Sequence, residues 1–303
     1  MGTPDFASPS LNSLINSSDF DVISVYTQPD KPTGRKQILT PPPIKVLAQK
    51  VDILVYQPIK IKTETENIKN LTPDLIVVVA YGQIIPQEIL DIPTYGCINI
   101  HGSLLPKYRG SACLQAPILN GDKETGVTIM QMDAGLDTGP IIKQIKIELQ
   151  GTESLSDLHD RLSQLGADNI KETLLSYCRG EIEIKAQNND QASYVSLIKK
   201  DDGHINPKKE AFYCERQVRA YHPWPGAYLL LPNGEHLKII TAKIADGSAG
   251  KTIGEIYSQE GGIYLSCGQN SLHILKLQRE NRNALDASDF LKGNQDIIGL
   301  IAT

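Results

Sequence analysis

No apolar run in this chain approaches the ~20 residues that a membrane-crossing helix needs. The densest, Leu-Ile-Val-Val-Val-Ala at 75–80, is six residues long. No charged-then-apolar leader opens the chain, so a cytoplasmic, non-membrane protein is expected. Cysteine is scarce: five residues, Cys97, Cys113, Cys178, Cys214 and Cys267, odd in number and widely scattered. No pair has zinc-ligand or redox spacing, so reduced thiols and no metal are expected. Positive charge is in deficit, 30 Lys+Arg against 35 Asp+Glu. A general nucleic-acid binder is usually basic, so a polyanionic partner would have to be met by a local surface. Gly2-Thr3-Pro4 is not a G-x-G-x-x-G fingerprint, which counts against a nicotinamide dehydrogenase. No G-x-S-x-G elbow surrounds Ser103, so it is not read as a nucleophile. Internal repeats and low-complexity tracts are absent.

What is present fits two domains, since 303 residues bury a sizeable core. The first two thirds alternate strand-like and helix-like segments, the pattern of an α/β fold with an open, mostly parallel sheet. Strands are expected at 22–26, 53–56, 75–80 and up to His101. Helical character is expected at 45–50 and around 114–119. Residues 125–132 and 141–149 are β-branched runs that should pair around a turn at Asp137. Residues 154–178 read as an amphipathic helix, with Leu155, Leu158, Leu162 and Leu165 at helical spacing. A polar stretch without periodicity then suggests a linker, 186–203, between a catalytic domain at 1–185 and a smaller domain at 204–303. The latter carries five short strand-like runs separated by turns such as Pro232-Asn233-Gly234. Five short strands suit a small barrel, though turn pattern alone does not choose a barrel over a sandwich.

The run Cys97-Ile98-Asn99-Ile100-His101-Gly102-Ser103-Leu104-Leu105-Pro106 reads as a buried strand passing directly into a loop. Side chains alternate faces along a strand, so Asn99 and His101 point the same way. Ligands in an open parallel sheet sit past the carboxyl ends of its strands. Asp133-Ala134-Gly135-Leu136-Asp137-Thr138-Gly139-Pro140 adds a carboxylate in a turn-rich setting. An amide, an imidazole and a carboxylate without a partnered Ser or Cys nucleophile indicate group transfer to an acceptor that brings its own. The plainer alternatives are a hydrogen-bonded loop histidine and aspartates serving their own turns.

N-I-H-G-S-L-L-P-K-Y-R-G followed by L-D-T-G resembles the folate-dependent formyltransferases, whose members act on glycinamide ribonucleotide, amino sugars or methionyl-tRNA. Gly2-Thr3-Pro4-Asp5-Phe6-Ala7, Thr27-Gln28-Pro29-Asp30-Lys31-Pro32-Thr33-Gly34-Arg35 and His222-Pro223-Trp224-Pro225-Gly226-Ala227 are similar to the branch that takes methionyl-tRNA. The likeness runs over nearly the whole chain. It implies a Rossmann-like sheet of formyltransferase type with an OB-like C-terminal barrel that binds tRNA. It implies 10-formyltetrahydrofolate as formyl donor and initiator methionyl-tRNA as acceptor. A monomer is expected. Asn99, His101 and Asp137 would be catalytic. The folate site would be lined by Val79, Ala80, Tyr81, Gly82, Gln83 and Ile84 and by Ser103, Leu104, Leu105, Pro106 and Asp133, the last also holding its loop. Lys31, Arg35 and Lys36 in the proline-rich segment 29–43 would meet tRNA phosphates, within a basic surface that includes Lys45 and Lys50. Arg216 and Arg219 form a second, smaller cluster. The bland reading of 29–43 is a structureless linker carrying solvated charges.

Two rival functions remain: an amino-sugar nucleotide formyltransferase, and an inactive RNA-binding relative. Two departures from the family pattern are visible. Cys113-Leu114-Gln115 stands where Pro-Ile-Gln is common, and Pro207 stands where an aromatic is usual; neither is expected to touch the catalytic set. Gly2-Thr3-Pro4-Asp5-Phe6-Ala7 reads as the turn leaving a first strand, which in the family lies mid-sheet. Met1 is therefore expected to be an internal methionine of a chain beginning upstream.

Overall fold

Short β-branched runs become strands near the positions their pattern predicts, mostly trimmed at one or both ends. The computed structural model describes residues 1–34, 36–247 and 250–303. It divides into one unit of residues 1–113, 124–148 and 159–196 and a second of residues 114–123, 149–158 and 197–303.

In chain order the first unit contains β1 (Val25–Tyr26), β2 (Lys31–Thr33), β3 (Ile38–Thr40), β4 (Val55–Tyr56) and β5 (Ile76–Val78). It continues with β6 (Cys97–His101), β7 (Arg109–Gly110), β8 (Glu124–Gln131), β9 (Ile141–Glu148) and β10 (Tyr194–Val195). β1 and β4 pair in parallel, as do β5 and β6. Met1 and Gly2 stand between the two pairs: the Gly2 N–H donates to the Tyr26 carbonyl, and the Val79 N–H donates to the Met1 carbonyl. Beyond these two residues the space beside β1 and β5 is a cavity of about 420 Å³, with Leu11, Val22, Ser24, Leu75 and Val77 in its wall. β8 runs antiparallel to β6, and β9 antiparallel to β8. The sheet is thus parallel on one side of β6 and antiparallel on the other.

β6 is central because both of its faces are covered. Cys97, Ile98 and Ile100 are buried, as strands clothed on two sides require. β9 alternates half-buried and exposed positions and carries Lys143 and Lys146, the charged character that protects an edge. The helix Leu155–Cys178 forms along the expected stripe, with Leu158, Leu162, Ile170 and Leu174 fully buried. The polar stretch after it is docked: β10 pairs in parallel with β7, Tyr194 against Arg109 and Val195 against Gly110. Among the described residues no helix is long and apolar enough to cross a membrane.

Segment 29–43 is not structureless. β2 and β3 form an antiparallel hairpin, with Thr33 and Thr40 hydroxyls hydrogen-bonded across it. Cross-strand pairing supplies the order that its prolines had suggested was missing. Its residues are exposed, Ile38 and Leu39 each more than 60%.

The second unit holds β11 (Ala227–Leu230), β12 (His236–Ala245), β13 (Ile256–Gln259), β14 (Gly262–Ser266), β15 (Ser271–Gln278) and β16 (Leu285–Asp286). Their order is β11-β12-β15-β14-β13, with β16 on β15, and every pairing is antiparallel. Alternate residues form one apolar core, including Leu229, Leu237, Ile239, Ile263, Leu265, Leu272 and Ile274. The expected closed barrel is not made by these ladders, which form an open sheet. Instead the last residues lie along both outer strands. Thr303 exchanges hydrogen bonds with Leu230, and the Ala302 N–H donates to the Gly254 carbonyl. A helix at Ala211–Tyr221 was not expected from the sequence; Ala211, Cys214, Val218 and Tyr221 give it a buried face.

Ile98 sits at 0% exposure in the middle of β6. Ile98→Ala should cost about 2–5 kcal/mol through lost transfer energy and the cavity left behind. Urea unfolding should show a correspondingly lower midpoint with an unchanged slope.

Candidate active site

Strand alternation delivers Asn99 and His101 to the end of β6 as expected. Asn99 pairs across to Val78 and Met130, and His101 to Thr128. Asn99 is half-buried, and its side chain has no hydrogen-bond partner among the described residues. A free amide at a strand end is an available donor. His101 is 6% exposed. Its Nε2 lies 2.9 Å from the Tyr108 carbonyl, and a carbonyl can only accept, so Nε2 carries a proton. Nδ1 then faces the Asp137 carboxylate at 3.7 Å.

Asp137 is placed by its neighbours more than by its own turn. Its Oδ2 accepts the Gly110 N–H at 2.8 Å. The Gln187 side-chain amide donates to the carbonyls of Asp137 and Gly139 at 2.9 and 2.7 Å. Asp133 holds the turn, accepting from the Gly135 N–H and the Thr138 hydroxyl. Ala80, Tyr108 and Asp137 all have left-handed backbones, with φ of 47°, 62° and 54°. Such strain in non-glycine residues persists only where surroundings enforce it, and it gathers at functional sites.

Burial opposes a charge on His101. The Cys113 thiol hydrogen-bonded to it, the Asp137 carboxylate and the Tyr108 carbonyl outweigh that cost and lift its pKa from 6.5 to about 9. Cys113 was not expected to touch the catalytic set; the turn after β7 brings it onto the imidazole. Arg109 is the other residue that sequence reading left without a role. It is 1% exposed and donates to Gln187 Oε1, Asn189 Oδ1 and the Tyr194 hydroxyl at 2.8–3.1 Å. No local pattern signals it, because its partners lie 78–85 residues away.

A Formyl transferase family model matches residues 1–174, and a Formyl transferase C-terminal domain model matches 197–295. The methionyl-tRNA formyltransferase of Geobacter sulfurreducens is 48% identical over 296 residues, covering 97% of this chain and 92% of that protein. The corresponding protein of Alkaliphilus metalliredigens is 43% identical over 297 residues, covering 97% and 94%. The chain belongs to the methionyl-tRNA formyltransferase family. Solved structures share the fold at lower identity. A sugar 3N-formyl transferase, WlaRD, determined in the presence of dTDP and 5-N-formyl-THF, aligns with TM-score 0.68 at 23% identity, covering 93% of this chain and 97% of that one. HypX of Aquifex aeolicus in complex with tetrahydrofolic acid aligns with TM-score 0.60 at 16% identity, covering 89% and 47%.

The segment after β5 turns at a glycine in the left-handed region. Gly82 has φ +82°, and the nearest atom to a Cβ added there is 3.8 Å away. Ile84 is 90% exposed, whereas Val79 and Tyr81 are buried. The Tyr81 carbonyl is held by the Thr3 hydroxyl and the Gln28 amide. Gln83 is committed to Ile61 N–H and the Pro58 carbonyl. In the loop after β6, Ser103 is fully buried with its hydroxyl on the Lys107 carbonyl, and Leu105 is a core residue. Leu104 and Pro106 are half-buried. Lys31 and Lys36 are exposed on the hairpin, while Arg35 lies outside the described residues. Lys45 is not a free cation: it pairs with Asp30 at 2.9 Å. Arg219 is likewise paired, with Glu215.

Gly110 has φ +106°, and an added Cβ would lie 2.3 Å from the Val195 carbonyl oxygen. Gly110→Ala should therefore part β7 from β10, misplace Asp137, and lower turnover by about 10²-fold. Proteolysis within 187–195 should accelerate in the same variant. The raised pKa of His101 is also directly measurable. Its folded value exceeds its unfolded one, so its stabilising contribution is full below about pH 6.5 and is lost as pH rises through about 9. An NMR titration of the imidazole should give a midpoint near 9; a midpoint near 6.5 would remove this stabilisation.

Proposed function

We propose that the protein transfers the formyl group of 10-formyltetrahydrofolate to the α-amino group of methionine esterified to initiator tRNA. The observation that carries this reading is the convergence of Asn99, His101 and Asp137 in a chain 48% identical, over 97% of its length, to a methionyl-tRNA formyltransferase. The folate supplies a formyl carbon bound to nitrogen, and the acceptor amine, once neutral, is its own nucleophile. The open backbone at Gly82 and the exposed Ile84 fit a planar heterocycle; Ala80 and Leu104 would flank it.

The reaction conserves protons: the amine loses one and the departing nitrogen gains one. A single acid–base couple is therefore sufficient. His101, with Nε2 committed to Tyr108, acts through Nδ1. Its pKa near 9 keeps it protonated at neutral pH, which suits it to stabilise the oxyanion and protonate the leaving nitrogen. Asp137 holds the imidazolium and passes on the proton released by the amine. Asn99 donates its amide to the oxyanion.

The catalytic reading assigns residues 1–185 to chemistry and 204–303, as an OB-like tRNA-binding domain, to the acceptor, with 186–203 between them and a Rossmann-like sheet in the first. The hairpin residues Lys31 and Lys36, with Arg35, would meet phosphates. The reaction is assigned to a cytoplasmic monomer. The decisive assay is formation of formyl-methionine from the purified protein, formyl donor and charged initiator tRNA. A dTDP-amino sugar run in parallel tests the rival activity, and its exclusive formylation would replace this reading.

Asn99→Ala, His101→Ala and Asp137→Ala should each lower turnover by roughly 10²–10³ with tRNA binding retained. Near-normal turnover in all three would sink the assignment. Lys36→Glu should weaken tRNA binding and flatten the slope of log affinity against log salt by roughly one unit per lost phosphate contact.

A further inference from the structure

Alternation along the strands of the second unit sends Ile256, Ile263, Leu265, Leu272 and Ile274 into its core. Tyr257, Tyr264 and His273 therefore stand on the opposite face. Register brings these three into one row: Tyr257 of β13 lies opposite Tyr264 of β14, and Tyr264 opposite His273 of β15. Their rings stack, with centroids 5.2 and 4.4 Å apart and planes 19° and 15° from parallel. Gly262 leaves the rings room to stand together, since an added Cβ would lie 2.9 Å from His273 Nε2 and 3.0 Å from Tyr264 Cε2. One end of the row is closed: the Lys251 ammonium lies over the Tyr257 ring, 5.7 Å from its centroid. The other end is not. The residue opposite His273 on β12 is Lys243, an exposed side chain without an ion pair among the described residues. β11 pairs with residues 236–239 of β12 and stops short of Lys243.

We propose that this row is a stacking site for an unpaired base of single-stranded RNA, which adds as the next ring on His273 while Lys243 meets its phosphate. Adjacent strands lie about 4.8 Å apart, so the position over β12 continues the spacing of the stack. Tyr257 and Tyr264 back the imidazole and hold its plane, and the Tyr257 hydroxyl is itself fixed on the Ser271 hydroxyl at 3.0 Å. Stacking of this kind tolerates any base, because every base has a π-face. Unpaired RNA bases are free to be splayed onto such rings, whereas paired ones are not. Charge favours the same occupant. Glu255 is paired with Lys251 at 2.9 Å and Asp286 lies 3.9 Å from Lys276, which leaves Lys243 as the cation at the open end. The second stack of this unit, His204–Tyr228–His236, is unlike it: the Glu280 carboxylate accepts the His236 N–H and would repel a phosphate there. This inference rests on the RNA substrate proposed above and locates where the second unit meets it.

The test follows binding of a short fluorescein-labelled oligoadenylate to the full chain by anisotropy, with formyl transfer assayed separately. His273→Ala should weaken binding roughly 5–100-fold, the range for loss of one base–aromatic stack. His273→Phe, which keeps a ring at that place, should bind within about 2-fold of the parent. Lys243→Gln should flatten the slope of log affinity against log salt by about 0.7, the value for one phosphate contact of a single strand. An abasic ribose-phosphate strand of the same length should bind the parent and His273→Ala alike. Unchanged oligoadenylate binding in His273→Ala would place the strand elsewhere and overturn the proposal. So would equal affinity of the parent for the abasic and the adenylate strands, or failure of His273→Phe to restore what alanine loses. If the protein transfers no formyl group yet binds the strand through His273, the function proposed above fails while this site stands.

Discussion

A buried guanidinium sets the terms for the rest of the site. Arg109 cannot lose its charge, and at 1% exposure its N–H groups must find acceptors within the protein. Gln187, Asn189 and Tyr194 provide them, each bond to a charged group being worth about 1.5–3 kcal/mol. The segment 187–195 is thereby tied to β7. Gln187 completes the circuit, because its amide fixes the carbonyls of Asp137 and Gly139. Asp137 accepts from Gly110, the residue next to Arg109. One ion that must be satisfied thus positions a carboxylate it never touches.

That positioning matters because His101 is buried. An isolated imidazolium would be driven to lose its proton there. Three neighbours, Cys113, Asp137 and the Tyr108 carbonyl, reverse the outcome. The site holds a proton at neutral pH without exposing it to water, which suits a reaction that consumes and releases one proton in each turnover. Asn99 adds a neutral amide that has no hydrogen-bond partner among the described residues. Both side chains rise from the most deeply buried strand of the sheet, so their spacing is set by backbone geometry.

The acidic balance of the chain gives the hairpin β2–β3 its significance. Lys45 is neutralised by Asp30 and Arg219 by Glu215. Lys31 and Lys36 are left as exposed cations on a projecting element that also displays Ile38 and Leu39. A surface of this kind presents charge and apolar area together. It is ordered by its own cross-strand bonds.

Local pattern determined a good deal. Two-residue alternation placed Asn99 and His101 on one face of β6, β-branched runs marked β8 and β9 about the Asp137 turn, and helical spacing marked Leu155–Cys178. These features depend on neighbours a few residues away, which a single sequence displays. The hairpin in 29–43 was missed because prolines mask a strand pattern, and the helix Ala211–Tyr221 because its buried face is built largely of small or polar residues, Ala211, Cys214, Gln217 and Ala220. The open order of β11 to β15 was not legible either, since turns reveal that strands exist but not which edges they leave unpaired. The roles of Arg109, Gln187 and Cys113 lay furthest from view. Arg109 meets acceptors 78–85 residues away, and Cys113 reaches His101 only once the turn after β7 has closed. Which polar groups must share a buried space is decided when the chain folds around them, because only then does desolvation make an unpaired group costly.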